Sequence, residues 1–390
     1  MSLSITNRRL GAFLGGVVLA PVITAGACAS ATDTSEPSPP EAEKPEAEPE
    51  AETPAAKPEA DPAPAAAEGA SPIPEAFDRG PAPHLVVADA AAAIEYYERV
   101  FGAEEAYRAL GPGGTVVHAM LRIGDAVLTL SEEQSQVERF APTRYEGSPF
   151  GLHLYVDDAV ATYSKALEAG AREVEPVTYQ FWGDRHGRLL GPFGHSWSVA
   201  TRVSEIPADD QRALAERAAA GEAIEEPADA EPMAPPPGWS ALTPSLVVSD
   251  VDAAVQFYGE AFGAETRSTL SAPGGETIQA EIQIRDQIVL VSAGGSDADE
   301  GPVSPLEAGG TPVQLTYYVE DAGATQARAL AAGADETLPI TEMFWGDLWS
   351  EVEDPFGHVW SIATRTEVVP PEEIERRARE LSGDAGARSP

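Results

Sequence analysis

Residues 354–365 read DPFGHVWSIATR, and residues 191–202 read GPFGHSWSVATR. A stretch written twice is either a site or a piece of scaffold that the chain needs twice. Its letters favour scaffold. Asp354, Pro355 and Gly357 suit the first, second and fourth positions of a tight turn, and Val359 to Thr364 then read as a strand with Trp360 and Ile362 on one face. Gly191 replaces the aspartate in the earlier copy without spoiling the turn. His195 and His358 fall inside these turns, where a hydrogen-bonding turn histidine is expected rather than a ligand or base.

Working outward, the repetition covers most of the chain. LVVADAAAAIEYYERVFGAEEAYR from Leu85 matches LVVSDVDAAVQFYGEAFGAETRS from Leu246, and Asp89 pairs with Asp250. Within each copy the hydrophobic period changes in a fixed order. A short apolar strand leads to Asp89, whose carboxylate suits a helix N-cap. Ile94, Tyr97 and Phe101 then recur at helical spacing, and Gly102 supplies a stop; Val255, Tyr258, Phe262 and Gly263 repeat the pattern. Strand signals follow, with Val117, Ala119, Leu121 and Ile123 alternating with polar or half-polar neighbours. The same cycle restarts at GLHLYVDD, where Asp158 is a second N-cap. Each copy therefore reads as two strand–helix–three-strand modules, an α+β arrangement in which two four-stranded sheets face each other across a polar cleft.

The motifs AAIEYYERVFGAE, HAMLRIGD, FWGDRHG and GPFGHSWSVAT, with AAVQFYGEAFGAE, QAEIQIRD, FWGD and DPFGHVWSIAT in the second copy, resemble the vicinal oxygen chelate superfamily of glyoxalases, dioxygenases and bleomycin-resistance proteins. Its PhnB-like branch is the most similar. The resemblance implies two tandem domains, each of two βαβββ modules forming a cleft between curled sheets. It places them at residues 80–206 and 241–366, joined by an acidic helix and Pro-rich linker at 207–240 and followed by an acidic helix and tail at 367–390. Single-unit relatives commonly pair, so the two domains are expected to form an intramolecular pseudo-dimer in a monomeric chain.

The start of the chain has another character. Arg8 and Arg9 precede an apolar run too short to span a bilayer, and TAGAC ends at Cys28, the sole cysteine. Residues 1–27 are similar to a bacterial lipoprotein signal, which makes Cys28 a lipid attachment point and implies export to the envelope, at the outer membrane. Residues 28–79 carry no apolar periodicity; from Ala29 to Phe77 there are 12 acids, two lysines and 11 prolines, a composition that cannot bury enough surface to fold. A net charge of −39 argues against nucleic acid as a partner, because phosphate binding needs a basic face.

Family enzymes hold a divalent metal with His, Gln or Glu from the first and last strands of each module. Carried onto this chain, those positions fall at Ala82 or His84, Thr129, Gly151 or His153, and Ser198. In the second copy they fall at Ser245, Leu290, Gln314 or Thr316, and Ser361. No carboxylate stands among them, so no metal and no other cofactor is expected, with His84 and His153 the only starting points for one. The branch's HAE motif is split: His118 is followed by Met120, while Gln279 is followed by Glu281. Arg185 becomes Leu348. The resemblance thus implies a module that binds a small organic molecule without a metal, its walls drawn from His118, Arg122, His153, Tyr155, Phe181, Trp182, Arg185, Gln279, Glu281, Tyr318, Phe344 and Trp345. The alternative is a metal-dependent glyoxalase- or dioxygenase-type enzyme centred on the first domain. In either case the first repeat, with His84, His118, His153 and Arg185, is expected to own the active cleft.

Overall fold

A computed structural model describes residues 71–135, 139–145, 149–272, 274–294 and 302–387. Residues 1–70, with the expected signal, Cys28 and nearly all of the acidic Pro-rich segment, lie outside the described residues. Four modules follow in chain order. The first holds β1 (Ala82–Val87), α1 (Ala90–Phe101), β2 (Glu104–Leu110), β3 (Val116–Ile123) and β4 (Ala126–Glu132). The second holds β5 (Phe150–Tyr155), α2 (Ala159–Glu168), β6 (Arg172–Tyr179), β7 (Asp184–Leu190) and β8 (Ser196–Arg202), and is followed by α3 (Ala208–Ala219). The third holds β9 (Leu242–Val248), α4 (Val251–Phe262), β10 (Glu265–Ser271), β11 (Thr277–Ile284) and β12 (Gln287–Ala293), with the single turn α5 (Pro305–Ala308) after it. The fourth holds β13 (Val313–Tyr318), α6 (Ala322–Ala331), β14 (Asp335–Glu342), β15 (Asp347–Glu353) and β16 (Val359–Arg365), and α7 (Pro371–Ala387) closes the series.

Local chemistry explains why the modules repeat. Each begins its helix on an aspartate whose carboxylate accepts from the amide three residues on: Asp89 from Ala92, Asp158 from Ala161, Asp250 from Ala253 and Asp321 from Ala324, all at 2.9–3.0 Å. α1 and α4 stop at Gly102 and Gly263, whose φ of 68° and 71° is the left-handed region that a side chain disfavours. One correction concerns β3. Val117, expected on the core face, is exposed while Val116 is buried, because the β2–β3 register shifts between Ala109 and Leu110.

The sheets overturn a larger expectation. A cleft within each repeat would pair the first module with the second. Instead β1 pairs antiparallel with β13, and β5 pairs antiparallel with β9. Sheet I runs β14-β15-β16-β13-β1-β4-β3-β2 and sheet II runs β10-β11-β12-β9-β5-β8-β7-β6. Each eight-stranded sheet therefore takes one module from each repeat. Every module presents an equivalent leading strand, so periodicity alone cannot choose its partner.

The helices keep the repeats together. α1 lies against α2 and α4 against α6, and one continuous apolar core joins the helix-bearing faces of both sheets. Trp197 anchors Tyr97 and Phe101 in the first repeat, with ring centres at 5.4 and 4.5 Å; Trp360 anchors Tyr258 and Phe262 in the second, at 5.4 and 4.3 Å. The twice-written stretch is scaffold, since it supplies the central tryptophan of each core. His358 also serves the scaffold: its Nε2 donates to the Val247 carbonyl at 2.9 Å, tying the last turn of sheet I to β9 of sheet II.

Candidate functional site

The polar alternate residues of each sheet face away from the helices, and these faces are the two candidate clefts. Both have the same corner. In FWGD of the first repeat, Asp184 accepts from the Tyr155 hydroxyl at 2.7 Å and from Trp182 Nε1 at 2.9 Å. In the second, Asp347 accepts from Tyr318 at 2.7 Å and from Trp345 Nε1 at 2.8 Å. Burial pushes both carboxyls up to about 6, against the opposing pull of the tyrosine, the tryptophan and a nearby arginine. Phe181 and Phe344 pack edge-on to the adjacent tryptophans at 4.8 Å. Thus Tyr155, Phe181 and Trp182 gather around Asp184, and Tyr318, Phe344 and Trp345 around Asp347, the aspartate of FWGD in each repeat.

Cleft I belongs to sheet I, and its polar groups are engaged with one another. His84 on β1 meets the Thr129 hydroxyl through Nδ1 at 3.0 Å and the Ser131 hydroxyl through Nε2 at 3.1 Å. His118 on β3 stacks on His84 with ring centres 5.9 Å apart. Across the sheet Arg139 pairs with Glu351 of β15, which also accepts from Trp349 Nε1 at 3.1 Å. Phe77, from the segment leading into β1, packs on Tyr318 at 4.8 Å and joins Met120 and Trp349 in a small apolar cluster. Arg122 is exposed on β3.

Cleft II, on sheet II, has unused groups. His153 on β5 and His186 on β7 stack at 5.7 Å. Both are buried, and His153 Nε2, His186 Nδ1 and the hydroxyl of buried Thr243, the β9 neighbour of His153, have no hydrogen-bond partner. Trp239, from the linker, closes on them edge-on at 5.3 Å from His153 and 5.6 Å from Tyr155. Gln279 and Glu281 of β11 share this face, and Glu281 is near enough to Tyr155 to raise its hydroxyl pKa. Burial raises the Glu281 carboxyl as well, opposed by Ser268 and Arg267. At the mouth, α3 packs Leu214, Ala215 and Ala218 in a cluster that includes Phe181 and, from the far end of the sheet, Leu270 and Ile278.

Several expectations fail on this geometry. His84 and His118 lie in cleft I, His153 and His186 in cleft II, so the histidines of the first repeat do not form one site. The split motif stays split, with His118 and Glu281 on different sheets. Arg185 is not free to hold an anion, because Glu226 of the linker accepts from its Nε and Nη2 at 2.9 and 2.6 Å. Nor do the histidines carry charge near neutrality. Burial pushes His118 and His153 down to about 4, and it lowers His84 and His186 well below the usual range, each helped by its neighbouring histidine. The sequence pattern does not mark His186, Trp239, Phe77, Glu351 or Arg139 as wall residues; the signal for Trp239 is an aromatic at the end of a proline run, just before a strand.

The family's metal positions divide between the two clefts. In cleft I they are Ala82 or His84, Thr129, Gln314 or Thr316, and Ser361; in cleft II they are Ser245, Leu290, Gly151 or His153, and Ser198. A single imidazole among these positions in each cleft, with both nitrogens of His84 already met by hydroxyls and an alkyl chain at Leu290, does not fit a divalent cation that needs charge and several donors. No group of three or more His, Cys, Asp or Glu able to hold a metal occurs among the described residues.

The profile of the Glyoxalase/Bleomycin resistance protein/Dioxygenase superfamily matches residues 81–199 and 241–362. Over 134 residues, 34% of this chain and 88% of the other, the sequence is 42% identical to "Uncharacterized protein Mb0911c" of Mycobacterium bovis. It is also 42% identical over 134 residues to "Uncharacterized protein Rv0887c" of Mycobacterium tuberculosis, covering 79% of that protein. The crystal structure of glyoxalase I from Zea mays superposes with a TM-score of 0.50 at 15% identity, over 73% of this chain and 92% of that one, a likeness of fold.

Proposed function

Because the chain belongs to the Glyoxalase/Bleomycin resistance protein/Dioxygenase superfamily, we propose that it is a binding protein that takes a small uncharged organic molecule in cleft II without a metal. One observation carries this reading: three buried polar atoms, His153 Nε2, His186 Nδ1 and Thr243 Oγ1, lack partners beside the aromatic faces of Tyr155 and Trp239. Leaving such groups unmade costs about 1–3 kcal/mol each, which a ligand with a polar edge and a flat apolar body would recover. Glu281 on the same face repels anions, and the neutral imidazoles do not attract them. Trp239 and α3 would move for the ligand to enter.

The test is a calorimetric and thermal-shift screen of neutral heteroaromatic and amide compounds, with metal analysis of the same preparation. His153→Phe should abolish binding and His84→Phe should leave it intact. Binding that needs a stoichiometric divalent metal, or that His84→Phe removes and His153→Phe does not, overturns the reading.

The same proposal places the protein at the bacterial envelope, tethered through a lipid on Cys28, on the strength of the TAGAC stretch and the acidic, Pro-rich segment behind it. No described helix is long and apolar enough to cross a membrane. Cys28→Ser should abolish lipid labelling and release the protein from the membrane fraction; unchanged labelling would refute the anchor.

A further inference from the structure

Asp354 and Gly191 occupy equivalent places in the twice-written turn, and around them the backbone is the same. Asp354 N donates to the His358 carbonyl at 2.9 Å and Gly357 N to the Asp354 carbonyl at 2.9 Å; Gly191 N donates to His195 at 2.8 Å and Gly194 N to Gly191 at 2.9 Å. The rings beside them match as well. Tyr258 and Trp360 stand 5.4 Å apart at 49°, and Tyr97 and Trp197 stand 5.4 Å apart at 48°.

In the second repeat the Asp354 carboxylate is the acceptor for four donors. Its Oδ1 takes the amides of Phe356 and His358, both at 2.9 Å, and its Oδ2 takes the Tyr258 hydroxyl at 2.8 Å and Trp360 Nε1 at 3.0 Å. In the first repeat no side chain replaces it. The Tyr97 hydroxyl and Trp197 Nε1 are left without a partner, in residues only 1% and 0% exposed. The Phe193 and His195 amides stand where those of Phe356 and His358 bind Oδ1.

We infer that the first repeat contains a binding site for a small carboxylate at Gly191, a place where a free anion takes the role of the Asp354 side chain. The stoichiometry of donors argues for an anion over water. Four converging donors need an acceptor with at least as many lone pairs, as a carboxylate has. One water accepts about two hydrogen bonds and must place two hydrogens of its own. The second repeat shows that the same cage holds a buried carboxylate in the folded protein. Size narrows the class. The equivalent cage holds one carboxylate and its methylene, and a Cβ built on Gly191 would come within 3.3 Å of Trp197 Cδ1 and Nε1, so the space suits a one- or two-carbon carboxylate such as formate better than longer ones. The site lies in the core beneath β8, away from both clefts, and does not depend on the reading of cleft II.

The experiment is thermal unfolding of the whole protein in formate and, at equal ionic strength, in propionate, with Gly191→Asp as the occupied-site comparison. With a Kd of about 10 mM, 100 mM formate should raise the Tm by about 2 °C over propionate. Gly191→Asp should show no such difference. Asp354→Gly, which opens the matching cage, should show a larger formate response than the parent protein. Equal response to formate and propionate, no response at all (a trapped water alone), or the same formate gain in Gly191→Asp each overturns the site. If Gly191→Asp does not fold, the size discrimination in the parent protein and the Asp354→Gly response still decide.

Discussion

Cleft I and cleft II are built from equivalent strands and yet handle their polar groups in opposite ways. In cleft I, His84 is held at both ring nitrogens, and Arg139 and Glu351 satisfy one another. In cleft II, His153 and His186 each keep a buried nitrogen without a partner, and the ion pair of Arg188 with Glu175, at 3.0 Å, lies toward the outer strand. Wherever one cleft has a histidine, the equivalent position in the other does not: Ser245 matches His84, Gln279 matches His118, Thr316 matches His153 and Trp349 matches His186. Because each sheet draws one module from each repeat, divergence within a repeat falls on both clefts. A repeat-by-repeat comparison therefore hides the functional contrast, and a sheet-by-sheet comparison exposes it.

The sharpest way to break the comparison is to remove what the two repeats do not share. Asp354→Ala strips an acceptor from two buried ring donors and two amides, so it should cost about 4 kcal/mol in denaturant unfolding. Gly191→Ala, at the matching place, should cost well under half as much. Comparable losses would mean that the Asp354 cage is not a stabilising feature.

Next in size is the pair of histidines at equivalent positions of the first two modules, one in each cleft. His84→Phe leaves the Ser131 hydroxyl unmet and Thr129 with only its bond to the Pro83 carbonyl at 3.3 Å, and should cost about 2 kcal/mol. His153→Phe removes a ring with an unpartnered nitrogen and should cost about half of that or less, measured in the same way. If the order is reversed, cleft II is the self-satisfied one.

Acid should sharpen the contrast further. The folded-state pKa of His153, about 4, lies below the ordinary 6.5, so its contribution is fully present above about pH 6.5 and is lost as pH falls toward 4. Asp184 has the opposite sign. Its folded pKa of about 6 exceeds the ordinary 3.8, so its contribution is present below 3.8 and is lost as pH rises through 6. His153→Gln should accordingly reduce the stability lost between pH 7 and pH 5 by about 1–2 kcal/mol, whereas Asp184→Asn should steepen that loss. Urea titrations at each pH would read both.

The smallest effect belongs to Arg185. Its bond to Glu226 is solvent-accessible, with side chains 29% and 31% exposed, so Arg185→Leu should cost less than about 1 kcal/mol and leave ligand binding in cleft II unchanged. A large loss of binding would restore to Arg185 the anion-holding role that its bond to Glu226 takes away.

What the sequence by itself determined is local. Asp89, Asp158 and Asp250 announce helix starts because a carboxylate reaches an amide three residues ahead, whatever the rest of the chain does. Gly102 and Gly263 announce helix ends because their φ needs no distant partner, and the DPFGH turn with its following Trp marks the last strand of a module. Those features made the two-module repeat and its superfamily legible. Which modules share a sheet was decided only in three dimensions. The strands that open the four modules offer like edges, and the choice of β13 for β1 and β9 for β5 is a contact across 88 residues or more that no period records. The protonation of the histidines was decided there too, since a pKa depends on burial by distant elements. So was the closing of cleft II, where Trp239 reads in sequence as the end of a linker and becomes a wall only once β5 lies beside β9.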